Sequence, residues 1–265
     1  MKCQICESGT LDFGKATVMG KHVASYRRCE SCGFIFASDP YWLAEAYSSA
    51  ITCTDIGIVS RAESCSLATK AVIDFFYHSS TTFLDYGAGY GMFVRRMRDL
   101  GYNFSAYDIS CRNMFSEDFA LDSLEDKRFD LITAFEVLEH LENPLSVIET
   151  IFSHSDHFLA TTEIVPVPIP RLEDWWYFAP EHGQHISFYT RKTLNLIADR
   201  NKRFFYSNGN LHLFSVKPIN DFVFRKATRT RSAQWLGLWR RRKSLLEEDF
   251  RKRRKEVLTR LGYQA

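Results

Sequence analysis

An α/β fold built round a mainly parallel sheet, with a metal-held ribbon before it and a basic helical tail behind it, is predicted from three features of the 265-residue chain. From Thr82 onward short apolar runs alternate with helical stretches, the pattern of βα units that feed parallel strands. One strand-to-helix joint is the glycine-rich Asp85-Tyr86-Gly87-Ala88-Gly89-Tyr90-Gly91-Met92. Ahead of it stand Cys3-x-x-Cys6 and Cys29-x-x-Cys32, two pairs separated by 22 residues.

Composition narrows the class. Hydrophobic residues at 45% and charged residues at 25% exclude a disordered or collagen-like chain. No apolar run follows Met1-Lys2-Cys3 and nowhere do eighteen apolar residues follow one another, which argues against secretion and membrane spanning. Seven cysteines, four of them in close pairs, suit a reducing compartment, so a cytoplasmic location is expected. Cys53, Cys65 and Cys111 follow no ligand spacing and read as small buried apolar residues.

Four segments follow from the pattern. Residues 1–40 carry the cysteine pairs among short β-like runs and have too few apolar residues for a core of their own. Residues 41–61 read as a connector, residues 62–217 as the α/β domain and residues 218–265 as an amphipathic basic tail. Strands are expected at 82–86, 103–108, 129–135 and 156–163, and helices at 62–77, 92–100, 145–152 and 190–201. Asn208-Gly209-Asn210 supplies the positive φ of a tight hairpin turn between runs at 204–207 and 211–217.

Four thiolates at the spacing of Cys3, Cys6, Cys29 and Cys32 can close a tetrahedron round Zn²⁺ and leave no open position, so the ion would serve folding rather than chemistry. A nucleic-acid-binding ribbon and a redox Cys-x-x-Cys are the competing readings; the second is disfavoured because no βαβ pattern surrounds either pair.

In the glycine loop, glycines stand at i, i+2 and i+4, where the dinucleotide fingerprint places its third glycine three positions after the second. Asp85 at the strand end would repel a phosphate and accept a hydrogen bond from a ligand amine. A cationic amino-acid nucleoside fits this polarity better than NAD. Asp108 closes the next strand, where a carboxylate can accept ribose hydroxyls.

These residues, together with Phe135-Glu136-Val137-Leu138-Glu139-His140-Leu141 and His185-Ile186-Ser187-Phe188-Tyr189-Thr190, resemble the class I S-adenosylmethionine-dependent methyltransferases, in particular their small-molecule and sugar-modifying branch. The resemblance spans about residues 62–217. It implies a Rossmann-like seven-stranded sheet with its last strand antiparallel and a short third strand within 115–121. It also implies S-adenosylmethionine held by Asp85, Gly87, Ala88, Gly89 and Gly91 at the methionine part, by Asp108 and Ile109 at the ribose, and by Phe119, Ala120 and Phe135 round the remainder. An N-terminal Cys₄ element accompanies some methyltransferases of this branch.

Methyl transfer is an in-line displacement that needs an aligned acceptor and, for a hydroxyl, removal of its proton. Glu136, Glu139 and His140 after the fourth strand, and His182 and His185 in the following loop, are the candidates. Histidine is favoured because its ordinary pKa keeps a neutral fraction available. His140 can instead open a helix and His185 brace its loop; a second metal on Glu139, His140 and His185 has no close ligand spacing behind it. The loop 165–184 is rich in proline and carries Trp175, Trp176, Tyr177 and Phe178; these aromatics either face a sugar or seal the core.

From Arg225 to the last residue there are fourteen Lys/Arg against four Asp/Glu, a surplus of ten, which leaves the preceding residues at minus eight within a net +2. Trp235, Leu238, Trp239, Leu246, Phe250, Val257 and Leu261 recur at helical spacing among the cations. Docking of this stripe on the chain's own body is the simplest reading; a peripheral membrane contact or a protein contact comes next, with nucleic acid behind them. Function therefore divides between a methyltransferase of a sugar, nucleotide sugar or glycan and one of RNA gripped by ribbon and tail, with a non-enzymatic binding scaffold third. The acidic body, and Phe135-Glu136-Val137-Leu138 where many amino-methylating nucleic-acid enzymes have Asn/Asp-Pro-Pro-aromatic, argue against RNA.

Overall fold

The computed structural model describes residues 1–48, 52, 54–229, 232 and 242–261. Its N-terminal ribbon comprises β1 (Thr10–Val18), β2 (His22–Cys29) and β3 (Ile35–Ala37). Met19 and Gly20 both take positive φ between β1 and β2, which matches the twist of a tight hairpin. The short helix α1 (Leu43–Ala46) and the long α2 (Ile58–Phe76) lead into the body.

The body contains β4 (Phe83–Tyr86), α3 (Met92–Asp99), β5 (Phe104–Tyr107), β6 (Leu131–Phe135), α4 (Pro144–His154) and β7 (His157–Thr161). After a long loop come β8 (Ser187–Phe188), α5 (Arg191–Arg200), β9 (Phe204–Asn208), β10 (Leu211–Ser215), α6 (Asp221–Ala227) and α7 (Leu246–Arg260). The main sheet runs β5-β4-β6-β7-β10-β9, its first four strands parallel and β10 antiparallel to both neighbours. Successive residues of each strand serve opposite faces. Leu84, Ile132, Phe158 and Phe214 pack on one side with Ile148 and Leu194; Phe83, Leu131, Leu159 and Leu213 pack on the other with Val72 and Met97.

One expectation needs correction. Among the described residues the sheet has six strands, not seven: the edge strand expected within 115–121 is a 3₁₀ turn at Glu117–Phe119 followed by a single bridge from Ala120 to Ala106. Its apolar residues are interrupted by Ser116-Glu117-Asp118, where the chain turns. The ribbon joins the body where β3 pairs with β8 and closes a four-stranded sheet, β1-β2-β3-β8. Within the ribbon the thiols converge, with Cys3 Sγ 3.7 Å from Cys32 Sγ and Cys6 Sγ 3.4 Å from Cys29 Sγ.

The tail docks differently from the expected apolar stripe. Asp249 is the buried residue of α7 and receives Arg98 at 2.6 and 2.9 Å and Arg95 at 2.9 Å. Leu246, Phe250 and Leu261 are exposed. Trp235, Leu238 and Trp239 lie outside the described residues. Among the described residues no helix is long and apolar enough to cross a membrane.

Candidate active site

The turn after β4 needs its glycines for space as much as for φ. Gly87, Gly89 and Gly91 all take positive φ, a region that a Cβ disfavours. A Cβ on Gly87 would stand 2.6 Å from Val137 Cγ2, and one on Gly91 2.3–2.5 Å from Asn113 and Ser116. The loop is tied to β5 by Asp108, whose Oδ2 accepts the Gly89 amide and whose Oδ1 accepts the amides of Ser110 and Cys111, all at 2.8 Å. A carboxylate has about four acceptor positions, so one remains on Oδ2. Asp85 is 4% exposed and accepts the Thr133 hydroxyl at 2.6 Å. Burial pushes its carboxyl up to about 7 against the opposing Thr133 bond, and the Asp108 charge adds to the rise.

This turn forms one end of a cavity of about 950 Å³. Asp85, Gly87, Ala88, Gly89, Asp108, Ile109 and Phe135 line it together with Glu136, His140, His182 and His185. Gly91, Phe119 and Ala120 are not among its lining residues. Gly91 is filled round by Asn113 and Ser116, and the Phe119 ring lies 3.5 Å beneath the Arg98 guanidinium, serving the tail's anchor. Cys111 lines the cavity rather than the core, whereas Cys65 is buried and Cys53 lies outside the described residues. Arg61 of α2, held by Asp55 at 2.6 Å, and Tyr47 also line it. No motif marks these two; they arrive through packing of the connector.

The far end is assembled from distant segments. A 3₁₀ turn at Leu138–His140 follows β6. The returning loop is stitched to it: the Ile186 amide donates to the Glu139 carbonyl at 2.9 Å, the Tyr189 hydroxyl to Leu138 at 2.8 Å and the Ser187 hydroxyl to Leu141 at 2.7 Å. Ribbon and connector hold the same loop from outside. The Met19 amide donates to Pro180, the Trp42 indole to Gly183 and the Gln184 side chain to Ala46, at 2.8, 2.7 and 2.8 Å. Trp175, Tyr177 and Phe178 are buried between ribbon and body, so these aromatics seal the core, while Trp176 is 73% exposed at the cavity.

His140 and His185 stand edge to face with ring centroids 5.0 Å apart. Nδ1 of His140 lies 3.1 Å from the Gln184 carbonyl and Nδ1 of His185 lies 2.7 Å from the Tyr177 carbonyl. A carbonyl only accepts, so each Nδ1 carries the proton and each Nε2 keeps its lone pair. Burial holds His140 down to about 3 and His185 to about 4, and lowers His182. Glu136 takes a positive φ and exchanges hydrogen bonds with Thr161, its amide donating at 2.9 Å and its Oε1 accepting at 2.7 Å. Glu139 is fully buried, and neither carboxylate oxygen makes a hydrogen bond of good geometry. Burial, followed by the Glu136 charge, raises its pKa, with the Tyr177 and Thr162 hydroxyls opposing.

Residues 63–201 match a family model described as a methyltransferase domain. The chain is similar in structure to the plantazolicin methyltransferase BpumL in complex with a monoazolic desmethylPZN analog and SAH, at 12% identity over 74% of this chain and 86% of that one, with a TM-score of 0.49. It is also similar to magnesium protoporphyrin IX methyltransferase from Synechocystis PCC 6803 with bound SAH, at 12% identity over 66% and 94% of the two chains, TM-score 0.45. A third is human N-acetylserotonin methyltransferase in complex with SAM, at 14% identity over 67% and 66%, TM-score 0.44. No curated protein matches the chain.

Proposed function

The chain belongs to the methyltransferase domain family, and from that premise we propose that it transfers the methyl group of S-adenosylmethionine to a hydroxyl of a sugar, nucleotide sugar or glycan. The observation that carries the donor assignment is the buried Asp85 beside a phosphate-hostile glycine turn, in one cavity with Asp108. Asp85 suits the donor's ammonium, the glycines admit its backbone-like part, and the free lone pair of Asp108 suits a ribose hydroxyl.

For the acceptor, the support is an exposed Trp176 lining one cavity with Glu136 and three neutral imidazoles. Indole faces pack against sugar C–H groups, and a general base adds about 10²–10⁴-fold to a positioned reaction. His140, His182 and His185 are the groups we place at the acceptor's hydroxyl, to ease loss of its proton. We assign Zn²⁺ to the four cysteines: a ZnS₄ tetrahedron with bonds of about 2.3 Å has edges of about 3.8 Å, and the thiols approach this in pairs at 3.7 and 3.4 Å. The ion's role is to hold the ribbon that supports the acceptor loop.

The test is mass spectrometry of nucleotide sugars and glycans incubated with the zinc-loaded chain and S-adenosylmethionine. A gain of one methyl group on a sugar hydroxyl supports the proposal. Methylation of RNA instead, with binding that falls steeply as salt rises, would replace the sugar by the competing acceptor.

A further inference from the structure

The fully buried carboxylate of Glu139, beside the cavity-lining His140, is the least explained group at this end of the molecule. A charge removed from water is costly unless it is well hydrogen-bonded, and neither Glu139 oxygen makes a hydrogen bond of good geometry, although the Tyr177 and Thr162 hydroxyls lie near. A pair of imidazoles also approaches it. One donor atom from each of Glu139, His140 and His185 lies within 4.8 Å of the others. The Ile186-to-Glu139 backbone bond creates this meeting by holding the returning loop on the 3₁₀ turn.

From this geometry we propose that Glu139, His140 and His185 form a binding site for a divalent first-row transition-metal ion, separate from the four cysteines, whose open positions take the acceptor's hydroxyl. The proposal deepens the hydroxyl-methylating reading above and rests on it for the identity of the fourth ligand. Two imidazole nitrogens with one carboxylate favour a transition ion over Mg²⁺ or Ca²⁺. Three protein ligands leave coordination positions open, as in sites that bind a reacting oxygen.

The second layer is also in place. A metal-bound histidine almost always donates its other ring N–H to a carbonyl or carboxylate, which fixes tautomer and orientation. Both histidines do so here, to Gln184 and to Tyr177. Gln184 is in turn tied to Ala46 of α1. His140 and His185 line the cavity, which puts the site at the acceptor end.

Bound to the ion, an acceptor hydroxyl is acidified and gives its proton to solvent. Its oxygen then forms a bond to the donor's methyl carbon while the carbon–sulfur bond breaks, and that electron pair stays on sulfur, converting the sulfonium to a neutral thioether. The ion changes neither charge nor oxidation state. His140 and His185 are ligands on this account, acidifying the hydroxyl rather than receiving its proton.

The full chain, carrying one zinc at the cysteines, is titrated with Co²⁺ by calorimetry, and its metals are counted by mass spectrometry after dialysis. One cobalt equivalent is expected beyond the zinc. Glu139→Gln and His185→Gln are each expected to weaken that cobalt by more than about 100-fold, with the zinc count and circular dichroism unchanged. Should the buried Glu139→Gln variant fail to fold, His185→Gln on the cavity wall reads the same question. Absence of a second equivalent in the unmodified chain overturns the site, as does cobalt binding that survives these substitutions. Binding of S-adenosylhomocysteine, followed in parallel, separates the two claims. If the second ion binds and that ligand does not, the metal site stands and the methyltransferase reading fails; if that ligand binds and no second ion does, the metal site falls alone.

Discussion

At the donor end of the cavity the hydrogen bonds that shape the backbone join near neighbours in sequence: Asp108 reaches Gly89 nineteen residues away, and Ser110 and Cys111 two and three away. At the acceptor end they span 44 residues from His140 to Gln184, 138 from Gln184 to Ala46 and 141 from Trp42 to Gly183. A turn fixed locally persists while its own strand and helix persist. A loop clamped by three distant segments depends on all of them, and one of the three is a ribbon with little core of its own. Donor binding and acceptor chemistry should therefore separate when the distant supports are damaged.

The largest separation is expected from Cys29→Ser or from stripping zinc with a chelator. Structural zinc contributes on the order of 10 kcal/mol to small metal-held units, so the ribbon loosens and the loop clamped by Met19 and Trp42 goes with it. Misplacement by about 1 Å costs around 100-fold in rate. Methyl transfer should fall by about that factor or more, while the dissociation constant of S-adenosylhomocysteine stays within about threefold. Equal loss of both would erase the distinction between the two ends.

Gly91→Ala attacks the local turn from within. A left-handed conformation costs a Cβ about 1–2 kcal/mol and overpacking a further 1–3, and the nearest atoms stand at 2.3–2.5 Å. Thermal denaturation should register a loss of about 2–5 kcal/mol, together with weaker cofactor binding. A variant as stable as the parent would show that Asn113 and Ser116 swing aside freely.

Asp85→Asn tests the charge rather than the shape. A hydrogen bond to a charged group contributes about 1.5–3 kcal/mol, so affinity for S-adenosylhomocysteine should drop roughly 10–100-fold. The pH profile has a definite sign. With its carboxyl raised to about 7, Asp85 is protonated below that pH and must lose the proton before it can pair with an ammonium. Affinity should be flat well above pH 7 and fall toward tenfold per unit below it, and the substitution should remove this slope.

Trp176→Ala is the mildest. Its ring is exposed, so stability should move by no more than about 0.5 kcal/mol. Loss of an aromatic contact of about 0.5–1.5 kcal/mol should raise the KM for a sugar acceptor by about 3–10-fold and leave cofactor binding unchanged. A shift in cofactor affinity would mean that the two ends communicate through the loop.

The same contrast governs what could be read before folding. Strands from β4 to β7, the helices between them and the β9–β10 hairpin announce themselves by apolar runs, helical period and Asn-Gly chemistry, all local signals. Asp85 and the glycines were legible for the same reason. The pairing of β3 with β8 was not, since two-residue β8 carries no period at all. Tyr47 and Arg61 enter the cavity only because the connector folds back. The missing edge strand failed in the opposite direction: a family pattern implied it, and the residues between Phe115 and Leu121 did not sustain more than a bridge. Among the loop aromatics, sequence could state the two roles without dividing them; burial assigns sealing to Trp175 and Phe178, while Trp176 is exposed at the cavity and the buried Tyr177 borders both.

Calorimetry on the zinc-loaded chain with S-adenosylhomocysteine and, separately, with NAD addresses the donor end most directly. One equivalent of S-adenosylhomocysteine with saturable heat, and none with NAD, is the predicted result. Saturable heat with NAD and a flat trace with S-adenosylhomocysteine would contradict the assignment of Asp85 and its glycine turn to a phosphate-free, cationic nucleoside.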